Sequence, residues 1–253
     1  MGVNGKRGQV TLFIIIGIII VVMGVLIFLF YPQIKSSISS NAQTPEAFIQ
    51  NCLEEEISNN IKIISLQGGS LEPKGYYLYE NYKISYLCYT NEDLKKCVVQ
   101  KAPLKMYIED EIKNSINKNV EQCFSSLKES YEKSGYDVTV KKGDYNVELL
   151  PKRVVTNLNY SVTLTKQDTI KYENFNVIVN NNVYELMTIA NSIVEWERNY
   201  GDSETTLYMA LYKDLKVEKK KQSEGTTIYI ITDRNNENKF QFAVRSIALP
   251  VGY

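Results

Sequence analysis

Cys52, Cys88, Cys97 and Cys123 are the residues of this chain whose type and placement could do chemistry. No two of them form a Cys-x-x-Cys pair, so the spacings do not match a zinc site. An even number of cysteines suits disulfides instead, in a compartment where they persist. Cys52 and Cys123 each fall on the apolar stripe of an amphipathic helix, and Cys88 and Cys97 flank a polar turn. The expected pairs are therefore 52–123 and 88–97, among the three connectivities that four cysteines allow, with free core thiols as the other reading. The first bridge would contribute about 4 kcal/mol by the chain-entropy relation.

Histidine does not occur, which removes the usual general base near neutral pH and the commonest ligand for zinc and copper. Ser-His-Asp and Cys-His chemistry are thereby excluded, while carboxylate pairs, lysine nucleophiles and oxygen-ligated metals stay open. The acidic triplets Glu54-Glu55-Glu56 and Glu109-Asp110-Glu111 lie on helices whose other faces are apolar, and read as solvated flanks. No catalytic residue, cofactor or metal is assigned, and no enzymatic activity is expected. Basic and acidic residues number 29 each; that balance argues against nucleic acid, whose binding rests on counterion release from many phosphates.

The elements that position the cysteines follow an apolar run, Val10 to Tyr31, that carries no charge. As a helix it would extend about 33 Å, enough for a hydrocarbon core of about 30 Å. The run thus predicts a transmembrane helix through the lipid bilayer. Lys6 and Arg7 precede it and favour a cytoplasmic amino terminus with residues 36–253 outside the cell. The expected divisions are a leader at 1–8, the membrane helix at 9–35, and extracytoplasmic subdomains at 36–150 and 151–253.

Lys6-Arg7-Gly8-Gln9 running directly into the apolar segment resembles the class III signal of archaeal type IV pilin-like proteins. The resemblance implies a prepilin peptidase that cuts between Gly8 and Gln9. Phe13 stands where many bacterial pilins carry a glutamate, a position that archaeal members commonly leave without one. An uncleaved signal anchor is the other reading of this segment. More of the chain is similar to uncharacterised surface proteins of small-genome (DPANN-type) archaea: Cys52 in a helix ending at Gln67-Gly68-Gly69, Cys123-Phe124 near the end of a second helix, and Phe240-Gln241-Phe242-Ala243 in a late strand. That resemblance carries no established activity.

The outer region reads as α+β, with amphipathic helices packed on largely antiparallel sheet. Thr44-Pro45-Glu46 opens a helix to about Leu66, and Pro103 opens one long helix to about Lys133. Asp137 to Val140 and Tyr145 to Leu149 read as a hairpin turned at Lys142-Gly143-Asp144. In Arg153 to Thr165, Val154, Thr156, Leu158, Tyr160, Val162 and Leu164 share one face. Helices at 183–200 and 203–215 and three further strands complete the chain.

Tyr76, Tyr77, Tyr79, Tyr82, Tyr86 and Tyr89 crowd one segment, either as an aromatic face for glycans or a neighbouring subunit or as plain strand formers. Asn159-Tyr160-Ser161 is a sequon on the polar face of its strand, so Asn159 is a candidate glycan acceptor. Lys216 to Lys221 could touch anionic polymer, or serve as a guarded strand edge. Together these features predict a membrane-anchored cell-surface protein, a structural or adhesive pilin-like subunit that associates with itself or similar subunits. The alternative is a non-polymerising anchored module that binds a surface partner or glycan.

Overall fold

A computed structural model describes residues 16, 17, 19–22, 43–92 and 94–246. The chain divides into two units, Met1–Thr44 and Pro45–Tyr253. In the first, residues 16, 17 and 19–22 are helical with exposed side chains. Most of the expected span from Val10 to Tyr31, and all of the expected leader, lie outside the described residues. No helix among the described residues is long and apolar enough to cross a membrane.

The second unit is α+β. It opens with α1 (Pro45–Leu66), whose Ile49, Leu53, Ile57, Ile61 and Ile64 recur at helical spacing and are buried. Gly68 and Gly69 end it in positive-φ conformations, with the Gly69 N–H donating to the Ile64 carbonyl at 2.8 Å. Strands β1 (Tyr76–Tyr79), β2 (Tyr82–Tyr89) and β3 (Val98–Val99) follow, then α2 (Leu104–Ser115) and α3 (Asn117–Lys133).

The single long helix expected from Pro103 to Lys133 is thus two. Ile116 sits between them at φ −90° and ψ 0°. Ser115 Oγ donates to the Ile112 carbonyl at 2.7 Å and accepts from Asn60 Nδ2 at 3.0 Å, so this residue both competes with the helix ladder and ties the junction to α1.

The rest comprises β4 (Asp137–Lys141), β5 (Tyr145–Leu150), β6 (Arg153–Thr165), β7 (Thr169–Asn180), α4 (Val183–Tyr200), α5 (Thr206–Leu211), β8 (Leu215–Lys221), β9 (Thr226–Asp233) and β10 (Lys239–Arg245). One sheet runs β1-β2-β10-β9-β8, with β3 also on β2; only the β2–β10 pairing is parallel. In the other sheet, β4 and β5 do not form the expected hairpin. Both pair antiparallel with β6, β4 opposite Ser161–Thr165 and β5 opposite Arg153–Leu158, so they lie end to end as one strand interrupted at 142–144. The long β6 supplies enough edge for both, and β7 pairs along its other side.

The register shifts across this interruption, and β6 and β7 shift between Leu158 and Ser161. Gly143 fits there because its backbone lies against Asn159: a Cβ would stand 1.9 Å from the Asn159 carbonyl oxygen. The open edge of β7 is blunted by Gln50 of α1, whose amide donates to the Ile178 carbonyl at 3.0 Å and accepts the Ile178 N–H at 2.9 Å. The side chain stands in for one residue of a missing strand.

Helix α1 touches β7 of one sheet and β10 of the other, and α4 touches β5 as well as β9 and β10. One main core therefore runs from sheet to sheet through the helices. The six residues expected to share the inner face of β6 are buried, and Phe124 stacks on Tyr160 at 4.2 Å. The division expected at 150/151 is absent: it falls in the turn joining paired strands β5 and β6, and β2 shares a sheet with β8, β9 and β10. The helix expected over 203–215 shrinks to α5, because Ser203 is drawn into a buried polar cluster described below.

Candidate functional site

The cysteines pair as 52–123 and 88–97, with none free. The first bond joins α1 to α3. The second joins β2 to the residue before β3, where Cys88 also pairs with Val99 across the ladder. Cys123 is buried, whereas Cys52 lies at the exposed border of its stripe. Gly8 and Gln9 lie outside the described residues.

The tyrosines separate into groups. Tyr77, Tyr79 and Tyr86 pack on a second apolar cluster of Ile84, Ile228, Ile230 and Ala243, on the sheet face turned away from the main core. The Tyr86 hydroxyl bonds Thr226 Oγ1 at 2.9 Å, and Tyr77 reaches Gln222 at the end of β8. Tyr89 meets Tyr86 edge to face at 4.9 Å and lies under Arg245. Only Tyr76 and Tyr82 are largely exposed. Asn159 is exposed at the shift in β6.

The acidic triplet of α2 is not the solvated flank expected. Glu109 accepts the Leu149 N–H at 2.8 Å, and Glu111 accepts from Leu71 N at 2.9 Å and Ser70 Oγ at 3.1 Å, so α2 is fixed to β5 and to the turn after α1. No backbone partner is visible in sequence, which is why periodicity alone missed these roles. Beside them Lys101 donates to Ser85 Oγ at 2.8 Å and lies 4.4 Å from the centre of the Tyr107 ring. Burial lowers its pKa to about 8, although Glu111 pulls the other way. An NMR titration is expected to place the Lys101 midpoint near 8. Between that pH and the ordinary lysine range the folded chain binds fewer protons than the unfolded one, so this residue makes stability rise with pH across that window.

A second buried constellation was not legible in the sequence. Glu197 and Ser203 are each 2 % exposed and Tyr229 is fully buried. The Tyr229 hydroxyl and the Ser203 N–H both donate to Glu197 Oε1. Lys219 binds Asp202 and, at 2.9 Å, the Ser203 carbonyl. Burial raises the pKa of Glu197 despite these donors and Lys219, and raises that of Tyr229 together with the neighbouring carboxylate.

A carboxyl held above its ordinary pKa adds a cost that is absent below the unfolded value and grows as pH rises through the folded one. Glu197→Gln keeps the Oε1 acceptor and removes that charge. The variant is expected to gain thermal stability over the parent at neutral and alkaline pH and to lose this gain in acid, as read from melting curves against pH.

Two of the depressions on the surface involve α4 and α1. One, of about 540 Å³, is mainly apolar and lies between α4 and the segment after α5, with Tyr184, Ile189, Leu211 and Tyr212 in its walls. The other, of about 620 Å³, has walls of mixed polarity, slightly more polar than apolar. It lies between the second half of α1, the β1–β2 turn and the β9–β10 turn, with Asn59, Lys62, Glu80, Tyr82, Asn236 and Gln241 in its walls. Trp196 and Tyr200, on α4, expose a ring pair 4.6 Å apart. Among the described residues no group of three or more Cys, Asp or Glu side chains could hold a metal ion.

Compared with known proteins, the chain matches no family model, no curated protein and no solved structure.

Proposed function

We propose that the chain is a membrane-anchored cell-surface protein, held in the bilayer through Val10 to Tyr31 with its amino terminus in the cytoplasm. Its outer domain serves as a structural or adhesive pilin-like subunit without catalytic activity. The observation that carries this reading is the consumption of all four cysteines in two disulfides within the unit that follows the apolar run. Such bonds persist outside the reducing cytoplasm. The exposed Ile16, Ile19, Ile20, Val21 and Val22 add support, since a helix apolar all round suits lipid or the packed core of a filament.

In this reading prepilin peptidase cuts before Gln9, and the apolar helices of processed subunits leave the bilayer and pack together. Mass spectrometry of the protein from its native membrane is expected to give a chain beginning at Gln9. A Gly8 substitution that leaves the mature mass unchanged would overturn the pilin-like version. The polar depression beside α1 favours a second reading, an anchored binding module that never polymerises. Retention of Lys6-Arg7-Gly8 on a protein confined to the membrane selects it.

A further inference from the structure

We propose that the polar depression bounded by α1, the β1–β2 turn and the β9–β10 turn binds a neutral oligosaccharide. The inference rests on the surface display proposed above.

Gln241 is the first observation. It is only 5 % exposed, and its amide makes no hydrogen bond with the described residues. The amide is open to the depression rather than sealed from solvent, and it can offer two donors and an acceptor to whatever enters. On α1, the exposed Asn59 presents a second amide that no described residue engages.

The opposite wall is rigid before any ligand arrives. Asn236 Nδ2 donates to Asp233 at 3.2 Å, the Asn238 N–H donates to Asn236 Oδ1 at 3.0 Å, and Asn238 Nδ2 donates to Asn182 Oδ1 at 2.7 Å. Glu80, Asn81 and Glu237, in the two turns, all hold positive φ without being glycine. Such preorganisation lowers the ordering cost of binding.

Charge then selects the ligand. Lys62, Lys239, Glu80 and Glu237 line the same space, two charges of each sign, so neither a strong anion nor a strong cation gains a net attraction. Walls of mixed polarity, slightly more polar than apolar, disfavour a purely apolar molecule. Hydroxyl groups on a neutral ring match amide donors and acceptors, and the Tyr82 ring, 40 % exposed, provides a flat apolar face for the C–H side of a sugar.

The test uses the full chain in nanodiscs with maltotriose, mannotriose and triacetylchitotriose as neutral probes, and a sulfated trisaccharide and tetraalanine as controls. Calorimetry and saturation-transfer NMR are expected to show saturable binding of at least one neutral probe, with a dissociation constant of about 0.1–1 mM. Gln241→Leu and Asn59→Ala are each expected to weaken it by up to about tenfold, the upper range for one lost hydrogen bond. If Gln241→Leu does not fold, Asn59→Ala on the exposed helix surface decides. The inference is overturned by no neutral binding, by binding that survives Asn59→Ala, or by binding of the sulfated or peptide control alone. Because purified protein is used, these outcomes are independent of whether the chain proves to be displayed, which the terminal mass and surface labelling decide.

Discussion

Replacing Cys52 and Cys123 together by alanine is expected to lower the unfolding free energy by about 4 kcal/mol, read from denaturant titrations of oxidised protein. The bond spans 71 residues, and the unfolded chain freed of it gains the loop entropy of that whole segment. The Cys88–Cys97 bond spans only 9, so the same relation gives about 3 kcal/mol for its loss. The ordering is the sharper part of the expectation. Loop length ranks the long bridge first, whereas a purely local packing effect would rank the fully buried Cys88 first, since Cys52 is exposed. A larger loss from the 88–97 pair would show that packing at β2, rather than loop closure, governs.

Gly143→Ala is expected to cost about 3 kcal/mol or more. The methyl group would overlap a backbone carbonyl, that of Asn159, rather than the end of a flexible side chain. To make room, β4 and β5 must separate from β6 where the register already shifts and where the Asn159 N–H donates to the Asp144 carbonyl at 2.9 Å. Thermal melting measures the loss. As a control, Gly75→Ala meets open space and its φ is not in the left-handed region, so it should leave the midpoint nearly unchanged. Equal melting of parent and Gly143→Ala would mean that the two backbones are not in close contact.

The two variants also mark what could be read in the sequence. The bounds of α1 follow from Thr44-Pro45 at one end and Gly68-Gly69 at the other, and those of α4 from a stripe that stops at Gly201, which adopts the left-handed conformation. Alternation along β6 announced its buried face, and the stripes carrying Cys52 and Cys123 announced the bridge. These signals are local. Phe240 and Phe242 enter the main core while Ala243 faces the second apolar cluster, as alternation along β10 requires.

What escaped was decided at long range. Lys142-Gly143-Asp144 has the composition of a hairpin turn, but the 13 residues of β6 accept β4 and β5 in succession, and the glycine is required by close approach instead. Glu197 looks like any polar residue near a helix end until Tyr229, from a strand 32 residues later, places its hydroxyl on the carboxylate. Ser115 looks like an ordinary helix residue until Asn60 reaches it. The polar depression is assembled from α1 and two turns far apart in the chain, so no motif could mark it.

The bridge between α1 and α3 has a mechanical meaning as well. A pull entering from the amino-terminal side passes from Cys52 directly into Cys123 through a covalent bond, bypassing the backbone between them. The 71 residues of that separation, at about 3.5 Å each, remove about 250 Å from the length that tension could draw out. Strands β1, β2 and β3 and helix α2 lie inside this shielded loop. Load therefore reaches the six-stranded sheet only from its β8–β10 side, and the oxidised domain behaves under tension as a shorter, stiffer link than its chain length implies.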